Sequence, residues 1–326
     1  MATKPNLYDL CKDYSDINIC SQSENLGNAK DIWDSTLEDD GYRYVGTNPN
    51  NYICFGITDK ATCIGNTDLY MYRIIGIFED NDGNKHLKLI KKEALTYYSW
   101  HSASYEDIDW DESDLYNGLN GSYFLTNSKY SYMQDSNWLN KIVEWNYTAV
   151  NTRYLENYEE TGVPGVIYDY NNPKVIYLHE LNRDSKNNQE CFCFMDEKAD
   201  CSAGEWKTIP SKLGLMYVSD HALALGSEYL DYNVAENGEI FKTGWIEISN
   251  NVSDFNLYYQ EAEWTMARGG MLDYSYNYPY LLMNGFISLE HRGASEEFYV
   301  RPVFYLRNDM TIGGGTGTIA DPFIIS

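Results

Sequence analysis

Short runs of β-branched and aromatic residues, separated by turns rich in Asn, Asp and Gly, constrain the fold of this chain most strongly. The clearest case is the apolar run at 69–78, which is followed by the turn sequence DNDGN and by a second run at 86–90. Such side chains favour strands, and a short turn with Asp and Gly between two strands is typical of a β-hairpin. The same reasoning predicts shorter strands at 42–45 and 52–55.

Two segments instead have the characteristics of helices. Residues 113–116 are predicted to begin a short helix, with Ser113 or Asp111 as the N-cap residue. Apolar side chains at helical spacing predict a second helix at 137–150. From Lys212 to the end, short strands and glycine-bearing turns dominate. Two main helices among many short antiparallel strands predict an α+β fold.

Composition and charge restrict the classes of partner. Residues 1–35 are polar and are predicted to be an N-terminal extension, whereas 36–326 are predicted to form one domain. Lys and Arg number 24 against 49 Asp and Glu, a formal charge of −25. Nucleic acids and anionic membranes bind cationic surfaces, so we expect no nucleic-acid partner and no direct membrane contact. No apolar run approaches the ~20 residues that span a bilayer.

The seven cysteines fall into three local groups, which are Cys11 with Cys20, Cys54 with Cys63, and Cys191 with Cys193 and Cys201. Such spacing can close small loops by disulfides in an oxidising compartment. Zinc sites need CxxC-like pairs, which are absent. The disulfide cysteines are predicted to be Cys11, Cys20, Cys54, Cys63, Cys193 and Cys201. The odd count leaves one free cysteine, either Cys191 or Cys193, and the set above takes Cys191 as the free one. Unrelated thiols in a reduced protein are the alternative. Disulfides predict an extracellular, cell-surface location, and the start of the chain is interpreted as a truncation that removed an N-terminal anchor.

No motif in the chain predicts catalysis or a defined metal site. The DNDGN sequence resembles the opening of a calcium loop, but Lys91 stands where an EF-hand needs an acid. Asp107, Asp109 and Asp111 have suitable spacing without the required glycine, so calcium held between loops is an open possibility and no other cofactor is expected. Consecutive Ser219, Asp220 and His221 would point to opposite faces of a strand, which argues against a triad.

The most unusual segment is 273–280, in which tyrosine occupies every even position. In an extended strand, these four rings would lie on one side, roughly 6.6 Å apart. Four buried phenols would need four hydroxyl partners, and Pro279 is unsuited to a central strand. We therefore predict that the rings are exposed; the alternative is that this face packs inward.

Three segments near the C-terminus resemble the ending of a large family of surface proteins from gut Firmicutes. They are 299–306 (YVRPVFYL), 313–318 and 321–325; 43–46, 48–52, 72–78, 212–220 and 264–266 match as well. Proteins of this family often carry a prepilin-type N-terminus and a C-type-lectin-like domain. The resemblance implies a C-type-lectin-like fold related to formylglycine-generating enzymes and to the variable proteins of diversity-generating retroelements. The chain lacks the EPN, QPD and WND signatures of calcium-dependent sugar binding.

In those variable proteins, the segment before the terminal Arg-Pro strand carries diversified, often aromatic residues that contact a ligand. The matching stretch here is 264–299. The resemblance therefore implies a non-enzymatic adhesion protein that binds a protein or glycan on a host or bacterial surface. The predicted contact residues are Asp273, Tyr274, Tyr276, Asn277, Tyr278, Tyr280, His291 and Arg292.

Three other functions are compatible with the same residues. A pilin-like structural subunit would use the aromatic strip for packing between subunits. A phage receptor-binding module would use it as an adhesin does. An enzyme similar to the formylglycine-generating class would need a reactive cysteine pair, for which Cys191 and Cys193 are the candidates, although their acidic surroundings raise thiol pKa values.

Overall fold

The computed structural model describes residues 26–27, 41–46, 49–102, 110–121, 132–133, 135–152, 207–224, 257, 261–271, 274–283, 286–288 and 294–325. For 26–27, 148–152, 207–208, 218–219, 222, 267–271, 274–283 and 286–288, the description is confined to the backbone. The predicted boundary between an N-terminal extension and the domain lies outside the described residues.

The described helices are all short. They are α1 Lys60–Gly65, α2 Thr67–Tyr70, α3 Asp114–Asn120, α4 Ser136–Leu139 and α5 Val218–Ala224, with a 3-10 turn at Trp110–Glu112. Ser113 is the N-cap of α3, because its side chain accepts a hydrogen bond from the Tyr116 backbone N–H. The predicted start of this helix is confirmed, and Asp111 instead lies in the 3-10 turn.

Most of the described secondary structure consists of strands. In chain order they are β1 Leu26–Gly27, β2 Gly41–Tyr44, β3 Tyr52–Cys54, β4 Met71–Glu79, β5 Lys85–Lys91, β6 Thr96–Ser99, β7 Trp145–Thr152, β8 Lys207–Ser211, β9 Glu263–Met271, β10 Tyr274–Met283, β11 Phe286–Ser288, β12 Glu297–Val300, β13 Val303–Tyr305, β14 Ile312–Gly314 and β15 Phe323–Ile325. The predicted hairpin is confirmed as β4 and β5, and the two predicted short strands as β2 and β3. The first two residues of the 69–78 prediction belong to α2 instead.

The strands form an eight-stranded and a seven-stranded sheet. In the first sheet, β4 is central, with β2 and β3 on one side and β5 on the other, and β13 continues from β5. The second sheet runs β11-β10-β9-β12-β6, and β7 and β8 join it beside β9. Most pairs are antiparallel, but β3–β15, β7–β9 and β9–β12 are parallel. The described part of the chain therefore has mixed sheets and few helices, which makes the fold α+β or mostly β.

The helix predicted at 137–150 is wrong. Helix α4 ends at Leu139, and the chain then enters β7, which pairs with β8 and β9. Burial alternates over the first residues of β7, with Trp145 and Tyr147 buried and Asn146 exposed, which is the two-residue period of a strand. The Trp145 ring also stacks on Tyr305, with 3.8 Å between ring centroids. Apolar spacing in so short a segment fits both periods, and tertiary pairing selects the strand.

One hydrophobic core is shared by the two sheets. Phe55, Tyr72 and Phe304 from the first sheet and its margin form edge and tilted ring contacts at centroid distances of 4.7–5.7 Å. Trp264 and Met266 of β9 belong to the same buried cluster. Strand β9 is thus anchored in the core near its N-terminal end, and its C-terminal end leads toward the tyrosine-rich segment.

Candidate ligand-binding surface

The tyrosine-rich segment forms most of strand β10. The predicted contact residues that lie in this strand are Tyr274, Tyr276, Asn277, Tyr278 and Tyr280. The others lie outside the described residues; they are Asp273, His291 and Arg292. Because the side chains of β10 also lie outside the description, the exposure of the tyrosine rings stays a prediction.

The tyrosine-rich part of β10 has a paired strand on one side. Strand β9 pairs along β10, whereas β11 pairs with Leu281–Met283. Between Tyr274 and Tyr280, no other described strand pairs with β10. Pro279 lies in this one-sided stretch, opposite Arg268. Proline donates no backbone hydrogen bond and is found at such edges, so its position agrees with its chemistry.

The ladder between β9 and β10 contains glycines and irregularities. Gly270 lies opposite Asn277 and Gly269 lies opposite Tyr278, so these two β10 residues have no side chain at the directly opposed position of β9. The register shifts between Tyr274 and Asn277, and again between Pro279 and Leu281. Side chains alternate strictly between the two faces only in an uninterrupted strand. The expectation that all four tyrosine rings lie on one side therefore applies within a regular stretch of β10 and not across these shifts.

The start of β9 is held firmly by buried contacts. Trp264, Thr265 and Met266 are all buried. The indole N–H of Trp264 donates to the Tyr98 carbonyl oxygen at 2.7 Å, and its ring meets that of Phe298 edge-on at 4.8 Å. The Met266 backbone N–H donates to the carbonyl oxygen of Met216 at 3.0 Å, which ties β9 to the loop before α5.

A buried ion pair joins β9 to the Arg-Pro segment between β12 and β13. The Arg301 guanidinium donates to both carboxylate oxygens of Glu263, from Nε and from Nη2, each at 2.6 Å. Nη2 also donates to the Leu257 carbonyl oxygen at 2.9 Å. Bidentate geometry offsets part of the cost of removing two charges from water. The sequence resemblance included Arg301 in its motif, but no sequence pattern identified Glu263 as its partner.

A pair of one exposed and one half-buried tyrosine lies elsewhere in the same sheet. Tyr97 of β6 and Tyr299 of β12 are directly opposed, and their ring centroids are 3.8 Å apart. Tyr97 is 49% exposed, the highest value among the large hydrophobic residues of the described part. Sequence reasoning missed Tyr97, because Thr96–Ser99 shows no polar-apolar alternation that would mark one exposed ring.

The Ser219, Asp220 and His221 sequence lies in α5 and not in a strand. The reason given for rejecting a triad is therefore wrong, although Asp220 has other partners. It is buried and forms ion pairs with Lys88 and Arg43. Sequence reasoning assigned no role to Lys88 or Arg43. The signal that could have identified Lys88 is its position between two leucines within an apolar strand.

The DNDGN segment forms a hydrogen-bonded turn. Asp80 Oδ1 accepts the backbone N–H groups of Asp82 and Asn84 at 2.9 and 2.7 Å, and Oδ2 lies 2.9 Å from Nε2 of His86. Burial raises the pKa of Asp80, but these hydrogen bonds outweigh burial and lower the pKa overall. The carboxylate is thus used within the turn, as the turn interpretation predicts.

The described residues contain no group of three or more His, Cys, Asp or Glu side chains placed to hold a metal ion. Of the other calcium candidates, Asp107 and Asp109 lie outside the described residues, and Asp111 is in the 3-10 turn. Calcium between loops therefore stays an open possibility.

Cys54 and Cys63 form a disulfide, with 6.1 Å between their Cα atoms. This predicted pair is confirmed. Cys11, Cys20, Cys191, Cys193 and Cys201 lie outside the described residues.

No protein-family model, curated protein or solved structure matches the chain. The C-type-lectin-like fold and the surface-protein family therefore stay predictions from sequence. Among the described helices, none is long and apolar enough to cross a membrane.

Proposed function

We propose that this chain is an extracellular, surface-displayed binding protein with a C-type-lectin-like fold, and that it acts in adhesion. Its recognition surface would consist of the residues predicted from the sequence: Asp273, Tyr274, Tyr276, Asn277, Tyr278, Tyr280, His291 and Arg292. The single observation that carries the proposal is the one-sided pairing of β10 over its tyrosine-rich part. Among the described strands, only β9 pairs with this stretch, and a strand edge is a place where another chain can add by backbone hydrogen bonds.

The chemistry of tyrosine supports this assignment. A tyrosine ring offers a large contact area with few rotatable bonds, so it loses little entropy on binding, and its hydroxyl adds a hydrogen bond. The buried anchors of β9, Trp264 and the Glu263–Arg301 pair, provide the rigid support that a recognition surface needs. The ligand would be a protein or a glycan, because a tyrosine ring can pack against an apolar side chain and can also stack on a sugar.

The first test asks whether the β10 rings are accessible. We expect tetranitromethane to nitrate Tyr276, Tyr278 and Tyr280 in the folded chain about as fast as it nitrates exposed Tyr97, with sites located by peptide mass spectrometry. Buried Tyr305 is the internal negative control, since it has no exposed surface. Protection of the β10 tyrosines to the level of Tyr305 would contradict the proposal, because rings in a core cannot contact a ligand.

The second test measures binding. The folded chain is applied to a glycan array and to intact gut bacterial and epithelial cells. The variant Tyr276→Ala/Tyr278→Ala/Tyr280→Ala should weaken the strongest binding at least about tenfold, since aromatic anchors dominate interface energetics. Tyr42→Ala removes a ring that is 38% exposed on β2 and serves as the matched control. Unchanged binding by the triple variant, or a loss that merely follows a lowered Tm, would refute the assignment.

A further inference from the structure

Lys88 places a primary amine in the protein core, against a carboxylate. Its side chain on β5 is fully buried, and its Nζ donates a hydrogen bond to Oδ2 of Asp220 on α5, which is 1% exposed. Three aromatic rings surround the amine. The distances from Nζ to the ring centroids of Tyr217, Phe78 and Tyr305 are 4.6, 5.2 and 5.4 Å. Bulk water is therefore excluded from the contact.

The two oxygens of Asp220 have different neighbours. Oδ2 accepts from Lys88 and, at 3.2 Å, from the Tyr217 backbone N–H. Oδ1 lies 3.5 Å from Nε of Arg43, which is also buried. The Lys88 amine thus lies against one oxygen of Asp220, and the guanidinium of Arg43 lies beside the other. This division of partners is the arrangement that nucleophilic attack on a carboxyl carbon requires, because charge develops on the oxygen that stays.

Amide formation requires a neutral amine and a protonated carboxyl group. An ammonium and a carboxylate both lose hydration in the core, and each such loss disfavours the charged form. Proton transfer from Nζ to Oδ2 yields a neutral amine and a neutral carboxylic acid in contact, which is the reactive combination for amide formation.

We propose that Lys88 and Asp220 condense into an intramolecular isopeptide bond. After the proton moves from Nζ to Oδ2, the amine lone pair attacks Cγ, and the resulting negative charge on Oδ1 is stabilised by Arg43. A second proton then passes from the nitrogen to Oδ2, which leaves as water. The Nζ–Cγ bond forms, the Cγ–Oδ2 bond breaks, and one water molecule is released, so no oxidant or other reactant is needed.

Contact alone does not carry this inference, because Lys60 and Asp321 make the same kind of contact on the surface. Their side chains are 36% and 40% exposed, so water solvates both ions and keeps them charged. The buried pair differs in its enclosure and in the charge of Arg43. The resulting cross-link would join β5 to α5 across 132 positions of sequence. Such a link would resist mechanical unfolding, and it is independent of the ligand-binding proposal.

Mass spectrometry of the full chain, reduced and denatured, tests the proposal directly. We expect the intact mass to be lower than the sequence mass by one water molecule. Proteolysis should then release a branched peptide that joins the segment containing Lys88 to the segment containing Asp220. Lys88→Arg should restore the full sequence mass, whereas the matched surface variant Lys60→Arg should still show the loss of one water.

An intact mass equal to the sequence mass overturns the proposal, whatever the folding of the variants. A loss of water that maps to a linear peptide also overturns it. Succinimide formation at Asp82–Gly83 would produce that result, because it too releases one water but joins no second segment. The branched peptide is therefore the decisive observation.

Discussion

Glu263 and Arg301 form a buried ion pair on which the start of β9 depends. Both side chains are nearly inaccessible, at 3% and 2% exposure. Each ion has lost its hydration, and the bidentate contact with its partner replaces that hydration only while both are present. Removal of one partner should therefore cost more than removal of both.

We expect Arg301→Met to lower the free energy of unfolding by about 3–5 kcal/mol, because it leaves Glu263 buried without its partner. The double variant Glu263→Met/Arg301→Met should recover most of that loss. Urea denaturation measures both effects. Arg307→Met breaks the exposed pair with Asp309 and should cost less than about 1 kcal/mol. A similar small cost for Arg301→Met would show that this pair does not hold β9.

Among the elements, strand β4 organises the first sheet. Its residues from Met71 to Phe78 are buried, which requires covered faces on both sides. Strand β2 pairs with β4 at Gly76, where a Cβ added to the glycine would lie 2.2 Å from the Tyr42 carbonyl oxygen. The register between β4 and β5 also shifts between Ile74 and Gly76. Glycine at this position allows the backbones of two strands to approach.

Gly76→Ala should lower the free energy of unfolding by about 2 kcal/mol or more, because the new methyl group meets backbone that cannot rotate away. Gly65→Ala at the end of α1 is the matched control. A Cβ there meets nothing within 4 Å, so we expect no loss or a gain of about 0.5 kcal/mol. Thermal denaturation of the two variants provides the comparison. Equal stability would mean that β2 and β4 separate at little cost.

At the scale of the whole molecule, the first sheet joins the two ends of the described chain. It contains β1 and β2 from the N-terminal part and β14 and β15 from the C-terminal part. Strand β15 pairs in parallel with β3, and the Cys54–Cys63 disulfide fixes β3 to α1. The disulfide therefore stabilises the place where the C-terminal strand closes the sheet.

The double variant Cys54→Ala/Cys63→Ala should lose roughly 2–3 kcal/mol of stability, since the disulfide restricts the unfolded chain. Denaturation with guanidinium chloride, with and without a reductant, provides the measurement. Reductant should bring the two chains to the same stability, because any other disulfide opens in both chains and the Cys54–Cys63 bond opens in the wild type alone. A wild-type chain that is insensitive to reductant would show that the bond does not contribute.

The sequence by itself determined the local features whose physics is short-range. The N-cap at Ser113 and the Cys54–Cys63 pair follow from residues within ten positions of one another, and the β4–β5 hairpin pairs residues fewer than twenty positions apart around one short turn. The turn residues, the capping hydroxyl and the short loop each specify their structure without help from distant segments. The tyrosine-rich segment was likewise predicted to be extended, and it forms β10.

Only the tertiary structure decided the features that depend on distant partners. It made a strand of β7, because pairing with β8 and β9 prevailed over apolar spacing that fits a helix as well. It brought Glu263 to Arg301 and Lys88 to Asp220, which are 38 and 132 positions apart. Local propensity contains no information about such encounters, since a charged side chain becomes buried only when its partner arrives from another part of the chain.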